Sequence, residues 1–274
     1  MTLDLSIIIP AYNEEKRLPK TIASIRTYLS LRRYPSEVLV VDDGSSDNTA
    51  KIVQEARNSF PQLRLLSNGR NRGKGFSVRH GMLEARGEVA LFTDADLSTP
   101  IGEADKLLAA IFDSRYDAAI GSRLLRNMIE VHQSKLRETA GKVFNLLVRG
   151  IAGIDFGDTQ CGFKAFRRIP ARILFEQQQT DGFGFDPEIL FLARRHGLKV
   201  TEIPVRWAHD PGTKVRVFSD SLRMFGDLIR IRLNNRRGIY PKRAGFRPAH
   251  RQPDSLTIWD VHLDRLKSET ITRR

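Results

Sequence analysis

The chain has a single cysteine, Cys161, among its 274 residues, so no disulfide can form within it. A lone thiol fits a reducing compartment. Long apolar runs are also missing, since no stretch approaches the about 18 consecutive apolar residues of a membrane-spanning helix. Residues 1–4 carry no basic group, and the apolar stretch at 5–9 is too short for a secretory signal. The sequence therefore predicts neither a spanning segment nor a signal peptide.

Acidic residues are fewer than basic ones in this chain. There are 32 Asp and Glu against 45 Lys and Arg, which gives a net charge of +13. This excess favours phosphate-bearing partners, which include nucleotides, nucleic acid and anionic membranes. Two phosphate-binding motifs are absent, because the chain has no Gly-x-x-x-x-Gly-Lys-Ser/Thr and no Gly-x-Gly-x-x-Gly after its first strand. P-loop and dinucleotide chemistry are therefore disfavoured.

Apolar, β-branched segments alternate with helical patterns along the first two thirds of the chain. The predicted strands are 6–10, 37–41, 63–66, 89–92, 118–123 and 200–205. A polar turn within 158–166 leads into one further strand. Helices are predicted after residues 11–15 to about residue 31, after the capping candidates at 45–48 to about residue 58, and at 76–86, 104–112 and 136–149. The segment at 182–190 opens a further helix, to about residue 196. This rhythm predicts an α/β fold, with a mostly parallel sheet flanked by helices and right-handed crossovers.

The C-terminal part has a different composition. Residues 222–233 predict an amphipathic helix with a broad apolar arc. The arc consists of Leu222, Met224, Phe225, Leu228, Ile229 and Ile231, opposite Arg223 and Arg230. Residues 234–255 are rich in Arg, Pro, Gly and His, and 256–266 have helical apolar spacing. We therefore divide the chain into a folded domain at 1–233 and a basic linker with a short helix at 234–274.

Carboxylates follow two of the predicted strands directly. Asp42 and Asp43 end the second strand, and Asp94 and Asp96 end the fourth. Open α/β sheets bind ligands at the carboxyl ends of their strands, so these groups should share one edge. If the chain stays extended there, Asp94 and Asp96 share a face and can bind one divalent cation, with phosphate oxygens as further ligands. A solvated turn at 94–96, and helix capping by Asp42 and Asp43, are the alternatives.

The loop at 70–75 is basic and rich in glycine. Its backbone N–H groups, together with Arg72 and Lys74, can approach phosphates closely. The alternative is solvated loop charge.

Four motifs together resemble the family 2 glycosyltransferases, which are inverting enzymes with a GT-A (Rossmann-like) fold. They are SIIIPAYNEE (6–15), VDDGS (41–45), NRGKG (71–75) and DAD (94–96). Four further segments resemble the dolichyl-phosphate β-glucosyltransferase branch, and less closely the related mannosyltransferases. They are GSR (121–123), DTQCGFK (158–164), GFDPEIL (184–190) and SDSLRM (219–224). The resemblance spans residues 5–232.

The resemblance implies roles for residues on the donor side. The predicted nucleotide-sugar site consists of Pro10, Tyr12, Glu14, Asp42, Asp43, Arg72, Lys74 and Asp94. Asp94 and Asp96 would hold Mg²⁺ or Mn²⁺ against the diphosphate, and this metal would neutralise the leaving group.

The acceptor side needs cations if the nucleophile is a lipid phosphate. Arg123 and Arg137 fall where the resembling enzymes hold the acceptor phosphate, and Lys164 is a third candidate. Asp186 would be the catalytic base if the acceptor were a sugar hydroxyl, although Asp186-Pro187 also fits a helix start. Cys161 is interpreted as a packed small residue rather than a nucleophile.

The resulting prediction is an enzyme that transfers glucose from UDP-glucose to a polyprenyl phosphate with inversion. The alternatives are GDP-mannose as donor, a saccharide hydroxyl as acceptor, or a basic nucleic-acid-binding module, which the absence of nucleic-acid motifs disfavours. A lipid acceptor also implies peripheral attachment to an anionic membrane, which we expect at the cytoplasmic face, with the helix at 222–233 as its anchor.

Overall fold

The computed structural model describes residues 3–32, 35–123, 129–131, 150, 153–208 and 217–241. The strands in chain order are β1 (Leu5–Ala11), β2 (Ser36–Asp42), β3 (Leu63–Ser67), β4 (Val89–Phe92), β5 (Ala118–Ser122), β6 (Ile129–Val131), β7 (Lys164–Arg167), β8 (Val200–Pro204) and β9 (Trp207–Ala208). The helices are α1 (Leu18–Arg32), α2 (Thr49–Ala56), α3 (Lys74–Glu84), α4 (Ala104–Phe112), α5 (Arg168–Gln177), α6 (Phe185–Arg195) and α7 (Val217–Arg236). A 3₁₀ turn, Ile101–Glu103, precedes α4.

A seven-stranded sheet in the order β3-β2-β1-β4-β7-β5-β8 forms the centre of the fold. All its neighbouring strands are parallel except at β7, which is antiparallel to both β4 and β5. A short parallel pair, β6 with β9, lies beside it. The predicted mostly parallel sheet is confirmed, with one antiparallel strand inserted between β4 and β5.

Side chains of β1 alternate between the two faces of the sheet, and both faces are covered. Ile7 and Ile9 join a core cluster with residues of α1, α2 and α4. Ile8 joins a second cluster with residues of α3, α5, α6 and α7. Burial on both faces explains why the strands read as continuous apolar runs rather than as alternating ones.

Several helix starts differ from the sequence prediction. Helix α1 begins only at Leu18, because residues 13–15 are held by hydrogen bonds to the loop after β2. Helix α3 begins at Lys74 rather than Phe76, directly after Gly73, whose φ of 104° belongs to the region that favours glycine. The helices predicted at 136–149 and 256–266 lie outside the described residues.

Helix α7 continues to Arg236, three residues beyond its predicted end. Asn234 and Tyr240 are buried, and Tyr240 packs in the second core cluster. The first residues assigned to a linker therefore belong to the folded domain. Among the helices that the structure describes, none is both long enough and apolar enough to cross a bilayer.

Candidate active site

The loops that follow β1 and β2 are bound to each other at the carboxyl edge of the sheet. The backbone N–H of Asn13 donates to Ser45 Oγ at 2.9 Å, and the Asn13 side-chain oxygen accepts the N–H of Ser46 at 2.8 Å. The next N–H, of Glu14, donates to Thr49 Oγ1 at 2.7 Å. Asn13 adopts a φ of 53°, which asparagine tolerates better than most residues. These bonds fix the predicted nucleotide-binding loops as one unit.

The predicted residues of the β1 loop differ in exposure. Pro10 is partly buried at the end of the strand, and the Tyr12 ring is 39% exposed at the sheet edge. Glu14 is 8% exposed, and its carboxylate accepts two hydrogen bonds of 2.6 Å from Arg17. Tyr12 therefore offers an accessible aromatic surface, whereas the Glu14 carboxylate is bound to Arg17.

Asp43 organises the basic loop. Its two oxygens accept the backbone N–H groups of Arg72 at 3.0 Å and Gly73 at 2.8 Å, and the Asn68 amide at 2.7 Å. Asp42 accepts the N–H of Ser45 at 3.1 Å. Helix α2 instead begins at Thr49, after Asn48, and the Thr49 N–H donates to Asp47 Oδ1 at 2.9 Å. The alternative that Asp42 and Asp43 cap this helix is therefore wrong.

The carboxylates after β4 lie in a turn. The Leu97 N–H donates to the Asp94 carbonyl oxygen at 3.1 Å, and Leu97 has a φ of 49°. The chain is thus not extended here, so the condition for a shared face is not met, although the two carboxylates still interact. Burial, with a further contribution from Asp94, raises the pKa of Asp96. Ser98 donates its N–H to Asp96 Oδ1 at 2.9 Å, and Arg17 lies 3.8 Å from the other oxygen.

Gly162, just before β7, lies against the Asp94 carboxylate. A Cβ built on this glycine would lie 2.1 Å from Asp94 Oδ2 and 2.6 Å from its Cγ. Only a glycine therefore allows the Asp94 carboxylate its present position. This contact gives the CGF segment at 161–163 a direct part in the candidate site.

The basic loop also reaches Asp94. Lys74 Nζ lies 2.5 Å from Asp94 Oδ1, and the Arg72 guanidinium stacks on the Phe76 ring at 4.6 Å. Burial opposes the charge on Lys74, but the surrounding carboxylates, first Asp94 and then Asp186, outweigh it and raise its pKa. The structure thus brings the predicted phosphate-binding lysine and the predicted metal ligand into contact.

The donor set suits a divalent ion bound together with a diphosphate. Mg²⁺ is usually bound by one or two carboxylates, and waters and substrate phosphates complete its coordination. Asp94 and Asp96 can supply the two carboxylates. Within the described part of the chain there is no cluster of three or more His, Cys, Asp or Glu that could hold a metal ion, so two carboxylates are the protein ligands available here. The residues therefore fit an ion that binds with its nucleotide.

Arg123 is oriented by a buried carboxylate. Its Nε and Nη2 donate to the two oxygens of Asp158 at 2.7 and 2.8 Å, and its guanidinium lies 5.5 Å from the Trp207 ring centre. Burial alone would raise the pKa of Asp158, but Arg123 outweighs burial and lowers it. Gly157 and Asp158 in turn donate their N–H groups to Glu202, each at 2.8 Å. Arg137, the other predicted acceptor arginine, lies outside the described residues.

Lys164 and Asp186 form a buried ion pair. Lys164 is 1% exposed, and its ammonium donates to the Asp186 carboxylate and to the Cys161 carbonyl oxygen. This burial does not support the acceptor-phosphate role predicted for Lys164. Burial raises the pKa of Asp186 despite the attraction of Lys164 and Lys74. Helix α6 begins at Phe185, so Asp186 and Pro187 lie in its first turn, as the helix-start alternative expects, although no side chain caps the helix.

Cys161 is buried, and burial raises the pKa of its thiol to about 12. A thiol in this state is a poor nucleophile, so its interpretation as a packed residue is confirmed.

The sequence reasoning missed several residues that position the site. Asn68 joins Asp43 to Ser77 and His80, with its amide 2.9 Å from Ser77 Oγ and its oxygen 2.8 Å from His80 Nδ1. Burial lowers the pKa of His80, which favours its neutral form. Asp158 and Gly162 had a signal, because both lie in the DTQCGFK segment of the resemblance. For Asn68 the sequence contains no signal of a role in the site beyond its position in a turn.

The chain is similar in sequence to a known enzyme family and to several of its members. The model for "Glycosyl transferase family 2" matches residues 6–175. A dolichyl-phosphate beta-glucosyltransferase of Trichomonas vaginalis is 38% identical over 86% of this chain and 75% of its own. Another enzyme of that name, from Saccharomyces cerevisiae, is 36% identical over 86% of this chain and 76% of its own.

Among solved structures, the fold is similar to glucosyl-3-phosphoglycerate synthase from Mycobacterium tuberculosis in complex with Mn²⁺, UDP-glucose and phosphoglyceric acid. The TM-score is 0.60 at 18% identity, over 84% of this chain and 79% of the other. At this identity the likeness establishes the fold alone, a mostly parallel GT-A sheet flanked by helices.

Proposed function

The chain belongs to glycosyl transferase family 2, and we propose that it transfers glucose from UDP-glucose to a polyprenyl phosphate, with inversion, giving a β-linked lipid-phosphate glucose. The observation that carries this proposal is the carboxylate pair Asp94 and Asp96 facing the basic loop at one sheet edge. The relatives named above act on dolichyl phosphate by name. The structural neighbour holds Mn²⁺ with UDP-glucose.

On the donor side, the loops after β1 and β2 bind the nucleoside. Tyr12 lies exposed at the sheet edge, where its ring can contact the base. Asp43 acts through the loop it organises, since its oxygens are bonded to the N–H groups of Arg72 and Gly73. Asp94 and Asp96 hold Mg²⁺ or Mn²⁺, which when bound neutralises the diphosphate leaving group. Lys74 supplies a further positive charge beside it.

On the acceptor side, Arg123 binds the lipid phosphate and Asp158 positions it. The guanidinium is partly exposed, with two N–H groups held by Asp158 and its plane near Trp207. A rigidly held planar fork suits phosphate oxygens. Arg137, by the family resemblance, is the second acceptor cation.

The acceptor chemistry needs no protein base. A phosphate monoester oxygen is already anionic at neutral pH, so it can attack the anomeric carbon without losing a proton to a side chain. Asp186 accordingly serves as the partner of the buried Lys164 rather than as a base.

Activity is tested by incubating the purified chain with UDP-[¹⁴C]glucose, polyprenyl phosphate and Mn²⁺, and measuring label in the organic phase. Asp96→Ala should lower transfer on the order of 10²-fold, with little change in melting temperature because the side chain lies in the turn after β4 and not in the core. Asp113→Ala, which removes a carboxylate after α4, is the matched control. Full activity in excess chelator would refute the metal assignment, and transfer only from GDP-mannose would refute the donor.

A polyprenyl phosphate stays in the bilayer, so the enzyme must contact the membrane surface, which we propose is the cytoplasmic face.

Helix α7 has apolar residues on two of its sides. Met224, Leu228 and Ile231 are buried in the core, whereas Phe225, Ile229 and Leu233 are 37%, 42% and 41% exposed at a spacing of four. These three residues form an outer stripe along the helix.

Arginines flank this outer stripe on both sides. At 100° per residue, Arg232 lies beside the Phe225 edge of the stripe, and Arg230 and Arg223 lie beyond its Leu233 edge. Arg236 lies within the stripe, and all four arginines are exposed. An apolar stripe between basic residues is the pattern of a helix that lies in an anionic membrane interface. Each basic residue near such a surface contributes about 1 kcal/mol, which favours reversible attachment.

The membrane proposal is tested with the outer stripe alone, because Leu228 is fully buried and its replacement would disturb the core. The variant Phe225→Ser, Ile229→Ser, Leu233→Ser should lose sedimentation with phosphatidylserine vesicles while retaining UDP binding. Ile169→Ser, an exposed apolar residue on α5, is the matched control. If the wild type bound neutral and anionic vesicles equally, and salt did not weaken the binding, an electrostatic contribution to membrane attachment would be excluded.

A further inference from the structure

The backbone of Lys74 is held in place by close packing on both sides of the residue. It is the first residue of α3, and both neighbouring glycines lie against another segment. A Cβ on Gly73 would lie 2.5 Å from the Asp181 carbonyl oxygen, and one on Gly75 would lie 2.7 Å from that of Thr180. The four-carbon stem of lysine remains flexible. A change of charge near its ammonium would therefore move the side chain and leave the loop in place.

We infer that Lys74 is an internal counter-ion, which neutralises Asp94 while no divalent metal is bound and transfers to the donor diphosphate when the metal binds. The inference rests on the proposed function, because it concerns the same carboxylate and the same donor. It adds a consequence that the proposed function does not contain: Lys74 opposes metal binding in the absence of nucleotide and favours nucleotide binding in the presence of metal.

Competition between the lysine and the metal follows from the Asp94 contacts. The Oδ2 oxygen faces Gly162, where a Cβ would approach to 2.1 Å. The other oxygen, Oδ1, lies 2.5 Å from the Lys74 ammonium. A divalent ion that binds Oδ1 would meet this ammonium at close range, and two cations on one oxygen repel each other. Lys74 must therefore leave Asp94 when the ion binds.

Arg17, the cation beside Asp96, differs from Lys74. It lies 3.8 Å from Asp96, while its guanidinium is held by two hydrogen bonds of 2.6 Å to Glu14. Arg17 is therefore anchored elsewhere and is a weaker competitor for a metal ligand. Direct competition is assigned to Lys74 for this reason.

A displaced Lys74 stays close to the site. The start of α6 packs on the start of α3, since a Cβ on Gly75 would lie 2.8 Å from Phe185 Cβ, and the next residue is Asp186. Asp186 attracts Lys74 but is already paired with Lys164. Its attraction keeps the ammonium nearby without binding it fully. Three N–H donors then remain available for diphosphate oxygens.

The experiment measures Mn²⁺ binding directly, by the electron paramagnetic resonance signal of free Mn²⁺, without nucleotide. The variants are Lys74→Met, which removes the charge at similar length, and Lys74→Arg, which keeps it. Lys51→Met, at an exposed lysine paired 3.9 Å from Glu55, is the matched control. UDP affinity is measured for each variant at saturating Mn²⁺.

Lys74→Met should bind Mn²⁺ alone on the order of tenfold more tightly than the wild type, and should bind UDP with Mn²⁺ on the order of tenfold more weakly. Lys74→Arg should keep the low affinity for Mn²⁺, and Lys51→Met should change neither value. Opposite signs for metal and nucleotide distinguish a counter-ion from a residue that only stabilises the loop, whose loss would weaken both.

Two failures can be told apart. If the wild type does not bind Mn²⁺ even with UDP, the metal part of the proposed function fails. If the wild type binds Mn²⁺ with UDP but Lys74→Met binds Mn²⁺ alone no more tightly, the counter-ion inference alone is overturned. An unchanged UDP affinity in Lys74→Met would overturn it as well.

Discussion

Replacing Gly162 by alanine tests whether Asp94 depends on its present position. The new Cβ would lie 2.1 Å from Asp94 Oδ2, 2.6 Å from Cγ and 2.7 Å from Oδ1. All three atoms belong to the end of one side chain, so Asp94 can rotate away without a backbone shift. We therefore expect a small loss of stability and a large loss of function.

The magnitude follows from the displacement. Atoms that are not bonded rarely approach a Cβ closer than about 3.4 Å, so the carboxylate must move by more than about 1 Å. A misplacement of this size in a catalytic group costs about 10²-fold in rate. The cost of a side chain forced off its preferred rotamer is only about 1 kcal/mol, which predicts a small change in melting temperature. Metal-dependent UDP binding should weaken together with transfer.

The assay compares Gly162→Ala with Gly102→Ala, because a Cβ at Gly102 would have no neighbour within 4 Å. Transfer, Mn²⁺-dependent UDP binding and thermal melting are measured for both. A double-variant cycle with Asp94→Ala adds a stricter condition, since Gly162→Ala should have no further effect once the carboxylate is gone. Near wild-type transfer in Gly162→Ala, or an equal loss in the Asp94→Ala background, would refute the reasoning.

Three other substitutions follow from the buried contacts. Asp158→Ala leaves Arg123 without its buried partner and should lower stability by about 3 kcal/mol. Because the pKa of Asp158 is lowered from 3.8, the wild-type pair stabilises fully above that pH and less as the pH falls through the lowered pKa, so wild-type and variant melting temperatures should converge in acid. Tyr240→Phe removes a 2.6 Å hydrogen bond to Glu188 and should cost about 1–3 kcal/mol in urea unfolding, and no change would contradict that contact. Asp186→Asn leaves a buried ammonium unpaired and should cost about 3–5 kcal/mol, seen as a lower melting temperature with turnover of the folded enzyme retained.

The sheet was predictable where its signal is local. Runs such as residues 6–10 and 37–41 are buried on both faces, so their composition alone marks them as central parallel strands. The position of β7 was not predictable in this way. Its partners are Leu91 on one side and Ala119 on the other, both opposite Ala165. These partners are far from Ala165 in the sequence, so no hydrophobic periodicity near Ala165 indicates the pairing.

The candidate site was predictable at strand ends and not across loops. Asp43 and Asp94 follow buried strands, which is sufficient to bring them to one edge. Their partners depend on how separate loops pack. Asp43 is bonded to the N–H groups of a loop about thirty residues further on, and Asp94 contacts a glycine beyond β5. No local pattern distinguishes Lys74, at the open edge, from Lys164, which is buried.

The same difficulty applies to α7, whose apolar arc is too broad for one face. Sequence spacing cannot divide such an arc, because either half could face the domain. The division comes from tertiary packing, which buries Leu228 against the second core cluster and leaves Ile229 outside. The core interpretation and the membrane interpretation of this helix are therefore compatible, since each applies to a different side.

The position of Asp186 bears on the choice between acceptors. A general base must come within hydrogen-bond reach of the proton it removes. Asp186 is 5% exposed, and its carboxylate is occupied by the Lys164 ammonium. A hydroxyl acceptor would have to break this pair and leave an unpaired charge in the core, which is costly. A phosphate acceptor needs only cations at the open edge of the sheet, where Arg123 lies with its guanidinium oriented. The burial of Asp186 and the orientation of Arg123 thus favour the same acceptor for independent reasons.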